Sequence, residues 1–140
     1  MVRINENQTK MNIEIIDIPK VEDYRGNIAI IENDVVPFDI KRVYYLFDVP
    51  SSAQRGGHSH KEQLEFLVPL SGSFDVVLKD GTSTKTVTLN KPDKGLLIKT
   101  NVWRELENFS SGAVCLVLAS HVFDEDDYIR DFNDFLEFVK

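Results

Sequence analysis

The stretch Phe74-Asp75-Val76-Val77-Leu78-Lys79-Asp80-Gly81-Thr82-Ser83-Thr84-Lys85-Thr86-Val87-Thr88-Leu89 holds two β-prone runs on either side of an Asp-Gly pair. Asp-Gly between such runs is a strong hairpin signal, because a tight turn needs residues that tolerate positive φ. Runs of the same kind recur in both directions: Ile13–Ile18, Ile28–Glu32, Ile40–Val49 and Leu64–Leu70 before it, Gly95–Lys99 and Ala113–His121 after it. That cadence predicts an all-β sandwich or barrel with eight or more antiparallel strands. The tail breaks the pattern. From Asp126 onward Ile129, Phe132, Leu136 and Val139 recur at helical spacing, and Asp124, Glu125, Asp126 and Asp127 stand before them, so one short C-terminal α-helix is expected. Capping and solvation account for the acidic run without any chemistry.

With 140 residues, 42% of them hydrophobic, the chain suits one domain over residues 1–140. The polar stretch Asn5–Lys10 reads as a frayed end or marks Met11 as the natural start, so residues 1–11 are expected to form a flexible extension. A net charge of −7 without a Lys/Arg-dense stretch argues against nucleic acid or an anionic membrane as the partner. Local arginines still permit an anionic small molecule. No secretory h-region and no bilayer-length apolar stretch is present, and the sequence reads as cytoplasmic. The single cysteine, Cys115, lies in the apolar run Ala113–Ala119, which predicts a buried, unreactive thiol.

Two of the three histidines fall in Arg55-Gly56-Gly57-His58-Ser59-His60-Lys61. In an extended strand, positions two apart share a face, so both imidazoles enter one site. Such a pair suits metal binding or proton transfer. The order His58-x-His60, Glu65, Gly72 is similar to the first metal-binding motif of the cupin barrels, where two imidazoles and a carboxylate hold Fe, Mn, Ni or Zn. The second cupin motif supplies another histidine after a Pro-x-Gly turn. The corresponding Pro92-Asp93-Lys94-Gly95-Leu96-Leu97-Ile98 has none, and His121 is the only other histidine. Acid–base work by His58 and His60, with no metal, is therefore the better reading; a metal-dependent enzyme using His58, His60 and Glu65 is the alternative. The strand Lys41–Phe47 carries Arg42, Tyr44 and Leu46 on one face, the polar one. Tyr44 is the first choice to orient a histidine through its phenol, and Arg42 and Arg55 suit phosphate oxygens in forked geometry.

Asp23-Tyr24-Arg25-Gly26, Ile40–Tyr45, Arg55–Lys61, Val102-Trp103-Arg104-Glu105, Phe109-Ser110-Ser111 and Asp124–Arg130 together resemble the WxcM-like sugar-nucleotide 3,4-ketoisomerases of the cupin superfamily. The resemblance implies a jelly-roll antiparallel barrel that converts dTDP-4-keto-6-deoxyglucose to a dTDP-3-keto-6-deoxyhexose without a metal or cofactor. It implies a homodimer built by exchanging N-terminal strands, with His58 and His60 as acid and base and Tyr44 as the matching tyrosine. Arg55, Arg42, Arg25, Lys61, Glu65 and Trp103 are the expected substrate contacts. The chain departs from these relatives at Glu65, often Gln, at Arg104, often His, and at Leu97, often Tyr. A non-catalytic sugar-nucleotide-binding cupin is the reading from a different class.

Overall fold

Phe74–Lys79 and Thr84–Leu89 pair antiparallel, from Phe74 opposite Leu89 to Lys79 opposite Thr84. Asp80 closes the turn: its Oδ1 accepts the backbone N–H groups of Thr82 at 2.9 Å and Ser83 at 2.8 Å, and Gly81 takes a φ of +98°. The computed structural model describes residues 10–140. Its strands are β1 (Ile13–Asp17), β2 (Lys20–Val21), β3 (Ile28–Ala29), β4 (Arg42–Leu46), β5 (Arg55–His60), β6 (Glu65–Ser71), β7 (Phe74–Lys79), β8 (Thr84–Leu89), β9 (Lys94–Ile98), β10 (Trp103–Glu107), β11 (Val114–Ala119) and β12 (Tyr128–Ile129). One sheet runs β1-β9-β6-β11-β4, a second runs β12-β5-β10-β7-β8, and β2 and β3 form a separate two-stranded ribbon. Every strand pair is antiparallel.

The inner faces of the two large sheets meet in one core built from Leu67, Phe74, Val76, Leu78, Leu96, Ile98, Leu106, Cys115 and Val117. Cys115 is fully buried and its thiol is pushed up by that burial, as its apolar surroundings predict. The first sheet is apolar on its outer face too, where Phe66, Val68, Leu97 and Leu118 are covered by Ile18, Ile31, Val36 and Phe38. Gly95 is needed there, because a Cβ at that position would overlap the buried Phe66 ring. Leu97 belongs to this outer layer. The expected extension over residues 1–11 lies outside the described residues except for Lys10, which is exposed, and Met11, which is buried in the main core.

The strand β10 stands where the polar residues Arg104, Glu105 and Glu107 mask a β pattern, and only its partners on both sides reveal it. The expected C-terminal helix is present but shorter, α1 over Phe132–Phe138, capped by Asp131, whose side chain accepts the N–H of Asp134. Asp124 instead caps a 3₁₀ turn over Glu125–Asp127. Ile129, expected within the helix, lies in β12, where it pairs with β5 opposite Ser59. Its side chain packs with Trp103 and Phe135 under the helix. Among the described residues no helix is long and apolar enough to cross a membrane.

Candidate active site

His58 and His60 point to the same face of β5, as the two-residue pleat requires, and their Nε2 atoms stand 3.1 Å apart. They lie beside a cavity of about 320 Å³ between the sheets, lined by Arg42, Tyr44, Leu46, Arg55, Gly56, His58, Glu65, Arg104, Tyr128 and Arg130 among others. The two imidazoles are not equivalent. His58 faces the cavity, whereas His60 is fully buried behind it, with the Tyr128 ring 4.4 Å from its own ring centre. The other nitrogen of His60, Nδ1, lies 3.0 Å from Asp127 Oδ2. Of the two expected acid–base residues, His58 is the one in the cavity lining, and His60 reaches the cavity only through it.

Glu65 is the hub of the buried polar network. Its Oε1 accepts from Arg104 at 2.6 Å, and its Oε2 accepts from Tyr44 Oη at 2.5 Å and from Gln63 Nε2 at 3.0 Å. Burial works against its charge, but the imidazole nitrogens of His58 at 3.9 Å and His60 at 3.6 Å and the Arg104 guanidinium hold the carboxyl well below the usual range. Glu65 is thus an anion between two imidazoles and a guanidinium. Tyr44 does not touch a histidine directly, which corrects the expected phenol–imidazole contact: it donates to Glu65, and the carboxylate in turn faces both rings. Burial, then the Glu65 charge, pushes the phenol of Tyr44 up and keeps its proton in place. Burial likewise pushes His58 down to about 4, against the opposing pull of Glu65 and with a smaller contribution from the Arg104 charge, so His58 is a neutral base at pH 7.

The remaining expected contacts divide. Arg42 and Arg55 line the cavity. Arg42 lies over the Tyr44 ring at 4.6 Å and donates through one terminal nitrogen to Tyr128 Oη at 3.1 Å, while the other is buried without a partner. Trp103 is not a lining residue. It shares β10 with Arg104, and because adjacent side chains alternate, Arg104 takes the cavity side and Trp103 packs outward against Phe132 and Phe135. Lys61 is exposed in the turn after β5, outside the lining, and Arg25 sits in the β2–β3 ribbon, paired with Asp23 and far more exposed than buried. Arg104, Tyr128 and Arg130 complete the cavity without having been singled out from the sequence as contacts. Asp127 belongs to the acidic run that capping and solvation were expected to explain, and its carboxylate instead reaches His60.

A family model described as "FdtA: WxcM-like, C-terminal" matches residues 11–140. The chain belongs to the FdtA family. A TDP-4-oxo-6-deoxy-alpha-D-glucose-3,4-oxoisomerase of Aneurinibacillus thermoaerophilus is 44% identical over 130 residues, covering 92% of this chain and 94% of the relative. The crystal structure of a 3,4-ketoisomerase from Helicobacter canadensis matches with a TM-score of 0.90 at 44% identity, covering 93% of this chain and 98% of that one. A variant of QdtA, a 3,4-ketoisomerase from Thermoanaerobacterium thermosaccharolyticum solved in complex with TDP-4-keto-6-deoxyglucose, matches with a TM-score of 0.89 at 40% identity, covering 91% of this chain and 94% of that one.

Many cupin barrels hold a metal on a His, His, Glu set, and in this FdtA-family chain the donor atoms of His58, His60 and Glu65 lie within 4.8 Å of one another. They do not fit a divalent cation. Both oxygens of Glu65 are engaged by Tyr44, Gln63 and Arg104, and a guanidinium 2.6 Å from the carboxylate opposes a second positive charge there.

Proposed function

We propose that this protein is a sugar-nucleotide 3,4-ketoisomerase that converts dTDP-4-keto-6-deoxyglucose to a dTDP-3-keto-6-deoxyhexose. The observation that carries the reading is a neutral, cavity-facing His58 backed by a second imidazole and set beside an anionic Glu65. The C4 ketone acidifies the C3 proton. His58 removes it, an enediolate forms across C3 and C4, and a proton is delivered to C4 while the O3 hydroxyl proton moves toward O4. The electrons stay within the sugar, so no cofactor is required. Arg42, with a buried unpartnered N–H at the cavity, suits the developing oxyanion, and Arg55 and Arg130 at the lining suit the diphosphate. The 3,4-ketoisomerases of similar sequence and fold support the same substrate class.

The protonation state of His58 sets the pH dependence. Protonated His58 cannot accept the C3 proton, so kcat/KM falls as pH drops through the folded-state value near 4, well under the 6.5 of an ordinary imidazole. Initial rates measured across the acidic range should show the limb there. A limb at pH 6–7 would mean that another group is the base.

The working unit is a homodimer with exchanged N-terminal strands. Within one chain the β2–β3 ribbon is exposed on both faces, Tyr24 at its tip is 97% exposed, and the edge strand β4 leaves Val43 and Tyr45 bare beside Phe47. A lone two-stranded ribbon and an uncovered apolar edge are poor solutions in water, and a second copy covers both. Light scattering at micromolar concentration should give twice the 16.0 kDa chain mass; a monomer under those conditions argues against the exchange.

A further inference from the structure

We propose that Asp127 is a positioning residue that fixes the proton arrangement of His58 from two residues away, acting through His60. The inference rests on the reading of His58 as the base. Asp127 is firmly held: its Oδ1 accepts the backbone N–H of Glu62 at 2.7 Å, its Oδ2 accepts that of Gln63 at 3.2 Å, and its own carbonyl accepts the N–H of Lys61 at 2.9 Å. These bonds fasten the tail to the turn after β5, and β12 continues the sheet with Tyr128 opposite His60. The carboxylate therefore meets His60 Nδ1 at 3.0 Å in a fixed place.

The consequence follows from proton counting. An ionised carboxylate only accepts, so His60 carries its proton on Nδ1. With both rings neutral, His60 Nε2 is then a bare lone pair, and the proton in the 3.1 Å gap between the two Nε2 atoms belongs to His58. His58 is held as the Nε2–H form, and its Nδ1, which has no partner among the described residues, lies toward the cavity-lining Gly56, 4.0 Å from where a Cβ there would stand, and is the free base. When Nδ1 takes the C3 proton, the Nε2 proton of His58 can pass to His60 Nε2. The positive charge then rests on His60 beside Asp127, and His58 is again neutral, now carrying the sugar's proton on Nδ1 for return to C4. Each step moves one proton and no electron pair leaves the sugar.

Without Asp127 the preference reverses. In Asp127→Asn the amide can keep accepting a turn N–H through Oδ1 while offering an N–H to His60 Nδ1, so His60 carries its proton on Nε2, donates to His58, and leaves the His58 proton on Nδ1. The base is then blocked. Imidazole ¹⁵N spectra of the full-length protein, free of substrate, read this directly. Expected for the wild type are a protonated Nδ1 on His60 and a protonated Nε2 on His58, and in Asp127→Asn the opposite pair. With dTDP-4-keto-6-deoxyglucose, Asp127→Asn should lose on the order of 10²- to 10⁴-fold in kcat with KM within about threefold. A wild-type spectrum with His58 protonated on Nδ1 overturns the proposal even if the variant does not fold, and so does a folded variant with near-normal kcat. If the wild type shows the expected spectrum but never isomerises the keto-sugar, the assigned reaction fails and the tautomer assignment stands.

Discussion

His58→Asn should lower turnover of dTDP-4-keto-6-deoxyglucose by at least about 10²-fold, the usual loss when a general base is removed, while nucleotide affinity stays nearly unchanged. The side chain is the one imidazole that both faces the cavity and is held neutral by burial. Asn keeps roughly the same reach and polarity but has no nitrogen lone pair that can take a proton. His60→Asn should also be slow, for a different reason: His60 is fully buried, so its loss removes the acceptor behind His58 and leaves Asp127 facing an amide. Titration calorimetry with TDP beside steady-state kinetics separates the two quantities. A His58→Asn protein with near-wild-type kcat, or one that has lost TDP affinity in proportion to its rate, contradicts the assignment.

Arg104→Met should destabilise the fold by about 3–5 kcal/mol, because it leaves the buried carboxylate of Glu65 without its cationic partner. Arg104 and Glu65 are each about 1% exposed, and the 2.6 Å contact between them is among the shortest in the molecule. Tyr44 and Gln63 still donate to Glu65 in the variant, but both are neutral. Glu65→Gln added to Arg104→Met should recover much of the loss, since the stranded charge disappears. Urea unfolding of the four proteins forms a double-mutant cycle. A single Arg104→Met change that costs under about 1 kcal/mol would show that the pair is not the fixed anchor of the site described here.

What could be read from the sequence was local or parity-based. His58 and His60 share a face because a strand alternates, and Asp80-Gly81 closes a hairpin because the turn chemistry sits in adjacent residues. What escaped depends on register between distant strands. Arg104 lies opposite His58 only because β10 pairs with β5, and that pairing also sends Trp103 to the outside. Asp127 carries the local signature of a helix cap, and an acidic run before Phe132 and Leu136 looks the same whether it caps a helix or turns back to a strand. The deciding facts are the backbone bonds from Glu62 and Gln63 across the fold, which pull Asp127 to His60 and delay α1 until Phe132. Ile129 fell in the helical period by coincidence of spacing, since its packing against Trp103 and Phe135 serves a strand equally well.

The proposed reaction moves a carbonyl along a nucleotide-linked sugar by imidazole proton transfer without a metal. ¹H and ¹³C NMR of dTDP-4-keto-6-deoxyglucose incubated with the protein in the presence of excess chelator tests it most directly. Expected are loss of the C3 proton signal, movement of the ketone carbon from C4 to C3, and a new hydrogen at C4, all at a rate the chelator does not change. A substrate left intact, or conversion that stops with chelator and returns on adding a divalent metal, would contradict it.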